Sequence, residues 1–86
     1  MKERIAYTFV NGFFVSTVDT FDKGLETMVF PASENARVVH NFFDPFNARI
    51  VGVDFENPLE EYTRHYATKK AAAEGHRAVV KLVRNR

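Results

Sequence analysis

The chain has no cysteine, and that one absence removes two classes of protein, the disulfide-stapled scaffold and the thiolate metal site. It also suits a reducing cytosol. Serine is scarce: Ser16 lies in a strand-like pattern and Ser33 in a loop-like one, and neither sits in the Gly-x-Ser-x-Gly elbow of a hydrolase. The four glycines, Gly12, Gly24, Gly52 and Gly75, are too scattered to form a phosphate-cradling loop. His-Glu-x-x-His runs and Asp-rich calcium loops are missing too. No apolar run approaches the roughly 20 residues that cross a bilayer as a helix. The opening stretch, Met1 to Tyr7, lacks the continuous apolar centre of a signal peptide. A soluble, unprocessed chain without a membrane partner is expected.

What remains is globular material. Hydrophobic residues make up 45% of the chain and include nine phenylalanines, which is enough for a core and too much for a disordered segment. Eighty-six residues make one domain that buries roughly 60 to 65% of its unfolded surface, so the stability margin should be small. The net charge of +1 conceals an asymmetry. Residues 1–61 carry five Lys or Arg against ten Asp or Glu, whereas residues 62–86 carry seven against Glu74 alone. Cationic character is confined to the last third.

The patterning predicts strands over about 4–10, 13–19, 25–30, 36–43, 48–55 and 60–67, and a helix over about 69–84. Asn11-Gly12 between two runs rich in β-branched and aromatic residues is a strong hairpin signal, because both residues tolerate the positive φ of a type I′ turn. Leu25 to Phe30 has apolar residues on both faces, the mark of a central strand, and is expected to stop at Pro31, with a loop to Asn35. Ala36 to Phe43 reads as a strand entering a type I turn at Asp44-Pro45-Phe46-Asn47; a short helix capped by Ser33, with Ala36, Val39 and Phe43 on one face, is the alternative.

In the last third, Thr68 is a preferred N-cap type, and Ala72, Val79 and Val83 recur on one helix face opposite Lys70, Glu74, Arg77, Lys81 and Arg84. Gly75 inside that helix costs about 1 kcal/mol relative to Ala, so a close approach by sheet backbone or a bulky ring should compensate. The fold class that follows is α+β: an antiparallel sheet of about four to six strands with one C-terminal helix packed on it. Phe13 and Phe14 are adjacent, as are Phe42 and Phe43, so each pair must put one ring on each face of a sheet. One helix covers one face. The rings on the other need a second copy, another layer or a protein target.

Three islands, Val15-Ser16-Thr17-Val18, Glu26-Thr27-Met28-Val29-Phe30, and Tyr66-Ala67-Thr68 with Ala72, Gly75 and His76, resemble in order a group of small uncharacterised proteins of tailed bacteriophages and prophages. The resemblance spans about Val15 to Val80, without a counterpart for Ala32 to Pro58. It implies a phage origin and a place in the bacterial host cytoplasm, and it brings no catalytic residue.

Among candidate chemistry, His76 follows the helix glycine at the buried edge of the helix. It is either a ligand or catalyst, or an imidazole satisfied by a partner at the helix–sheet seam. A metal would need His40, His65, Asp44, Asp54 or Glu74 beside it; no metal and no cofactor is expected. Asp19 with Asp22, and Glu60 with Glu61, could serve as acid and base, though carboxylates in turns are usually just solvated. The strongest functional feature is the basic stripe of Lys70, Arg77, Lys81 and Arg84, extended by Arg64, Lys69 and Arg86, with Tyr62, His65 and Tyr66 near enough to stack on bases. Against nucleic acid stand an isoelectric point near 8.1 and the helix dipole, which by itself favours late basic residues. The expected function is non-enzymatic protein–protein binding, to a host or viral target or to a second copy. A nucleic-acid module using the basic helix is the runner-up, and a small enzyme comes third.

Overall fold

The structure, a computed structural model, describes residues 3–41 and 44–86. Strand β1 (Glu3–Val10) turns at Asn11-Gly12 into β2 (Phe13–Asp19), and the φ values of 51° and 80° at the two turn residues are those of a type I′ pair. The strands pair antiparallel from Val10↔Phe13 outward until Ile5, an extra residue between Arg4 and Ala6, forms a bulge. The second turn is held by its own side chains: Asp19 accepts from the Phe21 amide at 2.9 Å, and the Thr20 hydroxyl donates to the Gly24 carbonyl at 2.9 Å.

Strand β3 (Leu25–Asn41) is the centre of the sheet and runs for 17 residues. It pairs with β2 through Leu25 to Pro31, with β4 (Asp44–Val53) through Ala32 to Asn41, and with the short β5 (Arg64–Tyr66) through Leu25 to Thr27, all antiparallel. Two sequence-based expectations are corrected here. Pro31 does not end the strand. The Val29 and Pro31 carbonyls both point away from β2, to the amides of Leu59 and Asp54, so the N–H that proline lacks falls on that outer side, where the β2 ladder has no use for it. The second correction concerns Asp44 to Asn47, which belong to β4 and not to a turn. Asn41 pairs with Asp44, and the expected Phe42 and Phe43 pair lies outside the described residues. Pro45 is tolerated because β4 has β3 on one side only. Residues 36–41 are therefore strand, not the alternative helix.

A third boundary also moves. The strand expected over 60–67 begins as a single 3-10 turn, Glu60–Tyr62, which turns Leu59 and Tyr62 together onto the core; only Arg64–Tyr66 is extended. Helix α1 (Lys69–Arg84) then crosses the sheet, opened by Thr68, whose hydroxyl accepts from the Ala71 amide at 3.1 Å. Its last turn is fastened to the first hairpin: the Asn11 side-chain amide donates to the Val83 carbonyl at 3.1 Å, beside the Arg86 backbone amide that donates to the same oxygen at 3.2 Å. Val79, Val80 and Val83 pack on Val15 and Val29, with Val10, Phe13, Leu59 and Tyr62 around them. The expected α+β architecture is what forms, one helix on one face of a five-stranded sheet.

Candidate functional site

Alternation along the strands gives the sheet two faces. The helix side receives Thr8 and Val10 from β1, Phe13, Val15 and Thr17 from β2, and Thr27 and Val29 from β3. Its polar members meet the one imidazole that α1 lowers onto them. His76 is buried, with Nε2 2.9 Å from the Thr8 hydroxyl and Nδ1 2.8 Å from that of Thr17. Thr17 bonds Thr27, its direct partner across the strands, and Thr27 bonds the Tyr66 phenol at 2.9 Å. A neutral imidazole donates through one nitrogen and accepts through the other, and each hydroxyl does both. The line Thr8–His76–Thr17–Thr27–Tyr66 can therefore be satisfied from end to end without a charge. Burial, and secondarily the Arg77 guanidinium, push the His76 pKa below the usual 6.5, which favours that neutral form.

Gly75 makes the line fit. A Cβ there would run into the Tyr66 ring, so glycine lets the ring rest against the helix with its hydroxyl on Thr27. The expected close approach is thus a tyrosine ring. Residues from three separate stretches meet at this place: Thr17 of β2, Thr27 of β3, and Tyr66, Gly75 and His76 of β5 and α1. Chemically the arrangement is closed. Both ring nitrogens of His76 are taken by hydroxyls of its own chain, leaving neither for a substrate proton or a metal.

The helix-free face is built of rings. Phe14, the neighbour of Phe13, points this way and is completely buried at 0% exposure. Phe9 lies 4.8 Å from it between ring centres, Phe55 6.0 Å and Tyr7 6.1 Å, while Phe30 lies 4.9 Å from Phe55. The Arg4 guanidinium sits 5.8 Å over both the Tyr7 and the Phe14 ring, steadied by a 2.9 Å bond to the Ser16 hydroxyl. The outer members stay half open, Tyr7 at 44% and Phe55 at 47% exposure.

The basic stripe divides in two. Lys69 pairs with Glu3 at 3.1 Å, Arg64 donates to the Glu61 and Thr63 carbonyls, and Arg86 bonds Glu61 and Tyr62 while lying 5.4 Å over the Phe13 ring. Lys70, Arg77, Lys81 and Arg84 are exposed on the outer side of α1 and make no ion pair among the described residues. No group of three or more metal-ligating side chains forms among the described residues, and His65 lies 3.9 Å from Glu26. Asp19 caps its own turn.

Two things escaped the sequence reading. The partners of His76 carried a signal, since Thr8, Thr17 and Thr27 all fall at the inward parity of three adjacent strands. The Arg4, Tyr7 and Phe55 grouping carried none, because it depends on how the chain after β4 returns to the sheet. Comparison with known proteins gives no match to a family model, a curated protein or a solved structure.

Proposed function

We propose that the chain is a non-enzymatic protein-binding module whose contact surface is the helix-free face of the sheet. The observation that carries this reading is the half-open ring cluster of Tyr7 and Phe55 about the buried Phe14, with Arg4 stacked on it. Aromatic residues and arginine are the types that concentrate binding energy at protein interfaces, and here they are pre-positioned by their neighbours. The setting is the one the resemblance implies, a phage protein meeting a host or viral partner in the bacterial cytoplasm. His76 supports the reading in its own way, since its ring is committed to the fold.

A second reading rests on Lys70, Arg77, Lys81 and Arg84, four cations on one exposed helix side that make no ion pair among the described residues, as a phosphate-tracking surface. One experiment compares the two. The tagged chain, its Phe55→Ser variant and its Arg77→Gln/Lys81→Gln variant are used as baits in nuclease-treated extract of the infected host, with bound proteins identified by mass spectrometry. A specific partner retained by the helix variant and lost by Phe55→Ser is the expected result. A partner kept by Phe55→Ser overturns the face reading, and material lost with nuclease or with the helix variant favours the second.

A further inference from the structure

We propose that the outer edge of β1 pairs with the β1 of a second copy of this chain, antiparallel, about a two-fold axis at Thr8. The argument begins at the type I′ turn. A two-residue hairpin makes its flanking residues, Val10 and Phe13, a hydrogen-bonded pair, and bonded and non-bonded pairs then alternate along the ladder. Val10 and Thr8 thus spend their backbone groups on β2, whereas Phe9 and Tyr7 turn theirs outward. Among the described residues strand β1 has no neighbour on that side, and no hydrogen bond uses the Tyr7 or Phe9 main chain outside the sheet.

The spacing of these free groups is self-complementary. With Thr8 on a two-fold axis, Tyr7 falls opposite the partner's Phe9 and Phe9 opposite the partner's Tyr7. All four outward groups of each copy are then matched reciprocally. The side chains agree with the backbone, because Tyr7 and Phe9 both lie on the helix-free face, 6.1 Å apart between ring centres. Each would meet the complementary ring across the junction at directly opposed cross-strand positions, the arrangement in which aromatic pairs stabilise a sheet. The ring cluster would continue from one copy into the next and cover the exposed Tyr7.

Charge and sequence leave the edge open. The charged residues of β1, Glu3 and Arg4, lie beyond the Ile5 bulge, away from the axis, and Glu3 is already held by Lys69. From Ala6 to Val10 the edge has no proline, lysine or bulge, the devices that ordinarily keep a free edge from pairing. This inference goes beyond the partner reading above; the two share Tyr7, but Phe55, which tests that reading, packs on Phe14 of β2 and Phe30 of β3 and takes no part in the β1 edge.

Light scattering of the whole chain from low to high micromolar concentration should show the mass rising from 9.9 kDa toward twice that value. Tyr7→Pro, which removes an outward N–H that the monomer does not use, should stay at the monomer mass with unchanged circular dichroism. The register is read by cysteines placed in a chain that has none. Thr8→Cys should oxidise to a covalent dimer, since axial cross-strand Cβ atoms lie about 4.5–5.5 Å apart. Ala6→Cys and Val10→Cys should cross-link when mixed but not singly, because position 6 faces the partner's position 10. A wild-type mass that stays at the monomer value at every concentration overturns the proposal. So does a dimer in which neither Thr8→Cys nor the mixture cross-links, or in which single Ala6→Cys or Val10→Cys cross-links as readily. A monomer that still loses its protein partner on Phe55→Ser would sink the pairing alone and leave the face reading standing.

Discussion

The two faces of this sheet are written by adjacent residues of the same strands, yet they are held by opposite chemistry. On the helix side, aliphatic side chains surround a line of hydroxyls and one imidazole, because α1 brings its own donor and acceptor to match them. On the other side no helix packs among the described residues, and the rings cover each other: Phe14 is fully buried with Tyr7, Phe9, Phe55 and Arg4 grouped about it and Phe30 against Phe55. A helix permits polarity in a core by satisfying it. A ring cluster permits a core without a lid, at the expense of leaving its outer members wet.

The sharpest way to break the comparison is Phe14→Ala. If the helix-free face is a core in its own right, the loss should be about 3–5 kcal/mol, as for other buried phenylalanines, read from chemical denaturation of the full chain. A loss under about 1 kcal/mol would mean that the rings merely decorate a fold held from the helix side. Next in size is Gly75→Leu. Leucine is the better helix former, but its side chain must displace the Tyr66 ring and break its bond to Thr27, and the net effect should be a lower Tm by about 1–3 kcal/mol of stability. A raised Tm would place Gly75 in open space.

Titration sharpens the polar side of the contrast. Folded His76 has a pKa held below 6.5 by burial and then by Arg77, whereas the unfolded chain takes up its proton near 6.5. Below that pH the unfolded state binds more protons, so the contribution of His76 is fully present above about 6.5 and is lost as pH falls toward the lower folded value. Melts across this window should slope more steeply for the wild type than for His76→Gln; equal slopes would show that the imidazole does not matter to the balance. The smallest expected effect belongs to Arg77→Gln/Lys81→Gln. Exposed charges contribute little to stability, so the Tm should barely move, and the wild type should bind mixed-sequence DNA or RNA no tighter than about 100 µM near physiological salt. Submicromolar binding that weakens with salt, with a slope flattened by the double replacement, would promote the helix over the ring face.

Much of this was legible in the chain. Asn11-Gly12, Thr68 and the spacing of Ala72, Val79 and Val83 announce a hairpin and a capped helix through local rules, and Gly75 announces a close neighbour by being an expensive choice. Phe13 and Phe14 had to part company across the sheet, and they do. Pro31 and the Asp44-Pro45 pair misled because their local preference for breaks is overridden wherever the missing N–H faces away from the ladder or lies at an edge. The Tyr66 bond to Thr27 and the seat of Phe55 were beyond reach, since each joins residues tens of positions apart.

The bond from Thr8 to His76 spans 68 positions and the one from Asn11 to Val83 spans 72. Because α1 follows all the strands in the chain, every strand of the sheet is synthesised before the helix that closes it. In that interval Val15, Val29 and the three threonines face water on one side while the β1 edge stands free on another, a combination that invites association with other nascent chains. The helix therefore acts as a timer for the sheet: the helix side stays sticky until the sixteen residues of α1 are made and docked, and chaperone demand should be concentrated in that window.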